Sequence, residues 1–142
     1  PKQIFRMHAE TDIEAKAKEY EGLIKHHLGL RPFDLIMLGM GDDGHTASLF
    51  PETQALKEER RLVVANTVPQ KNTERMTMTY PCINKARNIV IYVLGSKKQE
   101  MIQKVLLKEN TPPFPIESIG NDDNKALFIL DKEASTLIHK KG

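Results

Sequence analysis

Residues 39–51 read GMGDDGHTASLFP, and the side chains able to do chemistry in that stretch are Asp42, Asp43, His45 and Ser48, set among Gly39, Gly41 and Gly44. The segment GMGDDG is a formal match to the G-x-G-x-x-G fingerprint of dinucleotide-binding turns. That fingerprint works because bare backbone N–H groups and a helix N-terminus meet a pyrophosphate. Two carboxylates in the turn would repel such a ligand. The motif also wants an acidic residue about 20 positions on, at the end of the next strand, to hold the ribose hydroxyls. Here the next apolar run, LVVAN, ends in Asn66, and Pro51 leaves HTASLF room for little more than one helical turn. A nucleotide is therefore disfavoured.

The same residues suit acyl chemistry. Gly39, Met40 and Gly41 could offer backbone N–H groups to a carbonyl oxygen that becomes an oxyanion, since glycine permits close approach. His45, placed at the start of the short helix expected over HTASLF, would feel the positive end of its dipole, which disfavours imidazolium. A neutral imidazole is a general base. Asp43, two residues earlier, would orient the ring by accepting its second N–H, as carboxylates do in catalytic triads. Ser48 competes as a nucleophile, yet the G-x-S-x-G pattern of a nucleophile elbow is absent. Ser48 is expected to be structural.

Positioning these groups requires a framework, and the hydrophobic pattern supplies one. Thr11 and Glu14 have capping-box spacing, and Ile13, Ala17, Tyr20, Ile24 and Leu28 recur at helical intervals up to Gly29. DLIML ending at Gly39, LVVAN ending at Asn66, NIVIYVLG ending at Gly95 and ALFIL ending at Asp131 read as buried strands. RMTMTY alternates Arg75, Thr77 and Thr79 with Met76, Met78 and Tyr80, a half-buried strand. Ser96 and Gln99 repeat the capping-box spacing before a helix whose apolar stripe is Met101, Ile102, Val105 and Leu106. Pro112, Pro113 and Pro115 force a loop. Strands alternating with helices predict a single α/β domain over residues 1–142, a Rossmann-like, doubly wound, largely parallel sheet with helices on both faces. In such sheets ligands bind beyond the carboxyl ends of the strands, where GMGDDGH lies.

With 142 residues, 39% of them hydrophobic, the chain can bury a core. Its 21 basic and 19 acidic side chains are mixed, for a net charge of +2, without the basic run of a nucleic-acid binder. A lone cysteine, Cys82, forms no internal disulfide, and no apolar run is long enough for a membrane span or signal peptide. The expectation is a soluble cytoplasmic protein with no nucleic-acid or membrane partner; the oligomeric state stays open. Cys82 reads as a small core residue near a helix start, and Met76, Met78 and Met101 as core filling. His26 and His27 are adjacent and lack the i, i+4 spacing of a helical metal pair, and His8 and His139 belong to no pattern. No metal site and no cofactor are expected.

GMGDDGHTASLFP resembles the signature of the glucosamine-6-phosphate isomerase/6-phosphogluconolactonase family, on its lactonase side. RMTMTYPCINKARNIVIYVLG, from Arg75 to Gly95, resembles the lactonase segment in which an R-x-T-x-T strand is followed by a Pro, an Asn and a strand ending in Gly, and ALFILDKEAS resembles the closing strand and helix. The amino-sugar-phosphate isomerases and deaminases share G-x-G-x-D-G-H but continue into an Asn-Glu-Pro segment where this chain has LFP. The resemblance implies cofactor-free hydrolysis of a phosphorylated sugar lactone, 6-phospho-D-glucono-1,5-lactone, in the oxidative pentose phosphate pathway. It makes His45 the base, Asp43 its partner, Arg75 with a nearby lysine the clamp on the 6-phosphate, and Gly39, Gly41 and Gly44 substrate-lining. The lysine of the family's P-K-x-x-x-x-R pattern falls on Gln70 here, so the role passes to Lys71. The alternatives are an amino-sugar-phosphate isomerase or deaminase, and a non-catalytic sugar-phosphate-binding domain. The family's Ser/Gly-rich phosphate loop and Asp-Glu-Arg segment, both upstream, are absent, and the chain starts at Pro1. The expectation is the C-terminal portion of a longer enzyme, with little activity alone.

Overall fold

The computed structural model describes residues 2–138, so His139 lies outside the described residues. Two sheets organise them. Strands β1 (Ile36–Gly39), β4 (Ile89–Val93) and β5 (Leu127–Leu130) form a parallel sheet in the order β1-β4-β5. Met37 lies opposite Val90, which lies opposite Leu127, and Gly39 opposite Tyr92, which lies opposite Ile129. Strands β2 (Val63–Val68) and β3 (Thr73–Met78) form a separate antiparallel pair. The LVVAN run is thus a strand, as expected, but it pairs with its sequence neighbour instead of joining the parallel sheet. A connection of four residues, Pro69 to Asn72, permits only a hairpin, because a parallel crossover needs a dozen or more.

Helix α1 (Ile13–Leu28) carries the expected stripe, with Ala17 and Ile24 buried against Val63 and Met76 of the hairpin. Its cap is Asp12 instead of Thr11: the Asp12 carboxylate accepts the Ala15 N–H at 3.1 Å. Glu21, on the buried face of α1, accepts the N–H groups of Leu62 and Val63 at 2.9 and 3.3 Å and an ion pair from Lys25. Those donors outweigh the burial that would raise its pKa, and the carboxyl is held below its ordinary value. Helix α2 (Tyr80–Asn84) is capped by the Thr79 side chain, and Cys82 on it is buried, with its thiol pushed up to about 11 by burial. Helix α3 (Gln99–Leu107) follows a single 3₁₀ turn, Ser96–Lys98, so the expected Ser96 cap is replaced by that tighter turn. Ile102 and Val105 are buried, worth about 1.5–3 kcal/mol each in burial. Leu106, expected in the stripe, is exposed. The prolines of residues 112–115 lie in irregular chain ending in a short 3₁₀ turn, Pro115–Ser118.

One face of the parallel sheet is packed. Ile36, Ile89, Ile91 and Val93 meet Ile83, Ile102, Val105 and Ile116 in the main core. The opposite face is bare among the described residues: Met37, Tyr92, Leu127 and Ile129 point outward and are 65%, 43%, 59% and 39% exposed. The α/β, Rossmann-like reading holds, with helices on one face where two were expected. NIVIYVLG and ALFIL are correspondingly half-buried, alternating in and out. No described helix is long and apolar enough to cross a membrane.

Candidate active site

At the carboxyl end of β1 the chain does not enter a helix. Residues 41–50 fold as a tight turn, closed by a bridge between Thr46 and Leu49. The expected short helix over HTASLF is absent, so no helix dipole acts on His45. Pro51 follows too soon, and the segment's polar groups find partners elsewhere: the Ser48 N–H donates to the Thr77 hydroxyl at 3.1 Å, and the Thr46 hydroxyl donates to the Gly39 carbonyl at 2.7 Å. The turn is bolted to β1 on one side and to β3 on the other.

Within it, His45 Nδ1 lies 2.5 Å from Asp43 Oδ1, and the same oxygen accepts the His45 backbone N–H at 3.1 Å. Burial of Asp43 would raise its pKa, but the two hydrogen bonds and the imidazole beside it hold the carboxyl below its ordinary value. Asp43 is a carboxylate near neutral pH. A carboxylate accepts only, so Nδ1 carries the proton, and in the neutral ring Nε2 keeps its lone pair. Nε2 has no hydrogen-bond partner among the described residues. The ring stacks on Phe50 with centroids 4.0 Å apart and planes 19° off parallel. The ring also adjoins Gly41, where an added β-carbon would fall 2.0 Å from Cε1 and Nδ1. Glycine at 41 is a steric requirement of the ring.

The glycines divide their roles differently from the oxyanion expectation. The Gly41 N–H donates to the His45 carbonyl at 2.9 Å, and that of Gly44 to the Gly41 carbonyl at 3.1 Å, so neither is free for a substrate oxygen. They hold the turn shut. Gly44 also has φ +75° and leaves room for Phe114, which a β-carbon would meet at 2.7 Å. Gly39 keeps exposed backbone and lines, with Met40, Gly41, His45 and Thr46, an open cavity of about 350 Å³ at the sheet edge. His45 is thus a wall of a pocket at the carboxyl end of a parallel strand.

Arg75 and Lys71 lie on the hairpin, both exposed and without an ion-pair partner among the described residues. Arg75 shares its strand face with Thr77, the residue that bonds Ser48. Lys71 is near enough to help depress the Asp42 carboxyl, which is held low chiefly by its 2.5 Å contact with Lys98 and further by Lys97. Asp42 stays at the surface, where it pairs with Lys98. Gln70, at the family's lysine position, instead donates to the Pro51 carbonyl at 3.0 Å, tying the hairpin to the turn. Ser48 uses its backbone, not its hydroxyl, in these ties, in keeping with a structural role.

Two positioning residues escape sequence reasoning. Asn66, fully buried, donates to the Ser48 carbonyl and the Thr53 hydroxyl and accepts from the Ala55 N–H, at 2.9, 3.0 and 3.2 Å. Its only signal was a polar residue ending an apolar strand. Lys98 gives no local signal, since Asp42 is 56 residues away.

Comparison with known proteins gives the family. A family model described as glucosamine-6-phosphate isomerases/6-phosphogluconolactonase matches residues 1–128. The chain belongs to this family. Among its relatives in the family, a 6-phosphogluconolactonase of Chlamydia pneumoniae is 45% identical over 134 residues, 93% of this chain and 51% of its own. A chloroplastic 6-phosphogluconolactonase of Arabidopsis thaliana is 35% identical, over 96% of this chain and 45% of its own. The solved 6-phosphogluconolactonase from Trypanosoma cruzi superposes with a TM-score of 0.77 at 29% identity, over 93% of this chain and 54% of that one. A solved monomeric glucosamine-6-phosphate deaminase superposes with a TM-score of 0.68 at 25% identity, over 89% of this chain and 56% of that one. The chain spans about half the length of the curated relatives it matches.

Proposed function

We propose that this chain carries the acid–base half of a 6-phosphogluconolactonase, hydrolysing 6-phospho-D-glucono-1,5-lactone to 6-phosphogluconate in the oxidative pentose phosphate pathway. The observation that carries the reading is the His45–Asp43 pair, with Nε2 unpartnered among the described residues and its ring walling the pocket beyond β1. Nε2 takes a proton from water as the water oxygen attacks the lactone carbonyl. Asp43 stabilises the imidazolium that results. Collapse of the tetrahedral intermediate breaks the bond from the carbonyl carbon to the ring oxygen, and the imidazolium returns its proton to that oxygen. No cofactor enters these steps, because an activated ester needs none. Gly39 lets the substrate approach the strand end, and Gly41 and Gly44 act by shaping the turn. Arg75 and Lys71 bind the 6-phosphate, Arg75 through a bidentate guanidinium.

In this reading the phosphate loop belongs to the part of the relatives' length outside this chain, and the protein works in the cytoplasm, in keeping with one buried, inert thiol. A pH-stat assay on the phosphorylated lactone, with ammonia release from glucosamine 6-phosphate measured in parallel, tests the proposal. Acid release without ammonia is expected. Arg75→Ala should weaken the phosphorylated lactone at least about tenfold more than an unphosphorylated one, with Lys71→Ala following more weakly. Equal losses on both substrates would remove Arg75 from the phosphate site.

A further inference from the structure

A second concavity lies away from the His45 turn, along the seam between the hairpin cluster and the main core. Phe33 is packed against both clusters and bridges them there. The cavity, about 570 Å³, is bounded by the C-terminal end of α1, the Gly29–Phe33 connection, Arg60 and Leu62 just ahead of β2, and Cys82 and Lys85 in and just after α2. That volume falls in the range of small-molecule sites. Its walls are apolar, from Ile24, Leu28, Phe33 and Leu62, with buried Cys82 at the back. Leu30, at the lip, is fully exposed and packs on nothing in the core clusters.

The rim is cationic. Lys25, Arg31, Arg60 and Lys85 line the cavity, and no carboxylate does. Lys25 is neutralised by Glu21, whose other oxygen is spent on the backbone of Leu62 and Val63. The side chains of Arg31, Arg60 and Lys85 make no ion pair among the described residues, although the chain as a whole is nearly charge-balanced; the Glu58 carboxylate takes only the Arg60 backbone N–H, at 2.7 Å. Arg61, next in sequence, is paired with Glu14 at 2.8 Å and with Glu21 at 3.6 Å. Three cationic side chains without ion-pair partners thus line one apolar hollow, a lining that favours a single anionic group among them.

We propose that this seam is a binding site for a small amphipathic anion, an apolar chain or ring carrying one phosphate or carboxylate. The apolar body lies against Leu28, Phe33 and Leu62 under the lip of Leu30, and the head sits among Arg31, Arg60 and Lys85. The site is independent of the proposed lactone hydrolysis.

Octyl phosphate, below its micellar concentration, is the probe, with binding followed by calorimetry and mapped by amide chemical shifts on the 142-residue chain. Saturable binding is expected, with the largest shifts at Leu28–Phe33, Leu62 and Cys82, and at least about tenfold tighter than octyl glucoside or inorganic phosphate. Arg60→Ala and Lys85→Ala, both at exposed positions, should each weaken it about three- to tenfold. The triple exchange Arg31→Ala/Arg60→Ala/Lys85→Ala should abolish the preference for octyl phosphate over octyl glucoside. Equal affinity for the two amphiphiles, inorganic phosphate binding as well as octyl phosphate, or shifts confined to the Met37–Tyr92–Leu127 face would overturn the proposal. So would capture by phosphatidylglycerol vesicles without binding of monomeric octyl phosphate, since the surface would then be a membrane contact.

Discussion

His45 is held more tightly than a surface histidine needs to be. Its Nδ1 is bonded to Asp43, one ring face lies on Phe50, and Gly41 occupies the space a side chain would contest. In the whole enzyme His45→Asn should keep folding and substrate binding nearly intact and slow turnover by roughly 10²–10⁴-fold, the scale of a lost general base. Near-normal turnover in the mutant would move the search to another base. Gly41→Ala tests the same geometry without touching a titrating group. The ring must shift, and since a displacement near 1 Å can cost on the order of 100-fold, kcat should fall by about that factor while thermal stability changes little. Asp43 adds a pH signature. Its folded pKa is depressed below the ordinary value of 3.8, so its contribution to stability is present above that value and lost as pH falls through the folded one. The stability gap between wild type and Asp43→Asn should therefore be full at neutral pH and close at strongly acid pH, as measured by urea unfolding.

At the scale of elements, the hairpin and the turn behave as one unit because Asn66, Thr77 and Gln70 all reach across to residues 46–55. Asn66→Ala would strand the Ser48 carbonyl and the Ala55 N–H in a buried setting. A loss of about 3 kcal/mol, or about 10 °C in melting temperature, is expected, with a parallel drop in activity as the turn loosens. Calorimetry and the lactone assay check both, and an unchanged melting temperature would mean the turn is held by other contacts. The five strands and the two longer helices were legible as patterns, because alternation and 3.6-residue periodicity are local properties. Pairing was less legible: LVVAN reads equally well as a strand of either sheet until its four-residue connection to β3 is weighed. The helix expected over HTASLF failed because propensity in six residues is weak against the long-range partners that Thr77 and Asn66 supply. Thr11 lost the cap to Asp12 for a similar reason, two neighbouring cap formers being indistinguishable by spacing. The His45–Asp43 pair was legible because two residues of separation make it local. Lys98 on Asp42 was not, because only the folded chain brings them together.

For the whole molecule, the parallel sheet sets the terms. Such sheets are ordinarily covered on both faces, and here one face displays Leu35, Met37, Tyr92, Leu127 and Ile129 to solvent. The relatives are about twice as long as this chain. By itself the 142-residue chain should hydrolyse the lactone poorly, since binding energy remote from the carbonyl positions the reaction and its loss lowers turnover as well as affinity. It should also self-associate as concentration rises, which sedimentation velocity would show; a monomer at high concentration with the activity of a longer protein would contradict both expectations. The bare face also carries its own optical label. With no tryptophan, near-ultraviolet emission comes from three tyrosines. Tyr80 is half-buried and hydrogen-bonded to Pro115, and Tyr20 donates to Phe5. Tyr92 stands exposed near the carboxyl end of the central strand of the parallel sheet. Collisional quenching by acrylamide will therefore act on Tyr92 more than on Tyr80, and any polypeptide laid over the sheet would shield it, so intrinsic fluorescence reads out coverage of that face without an added dye.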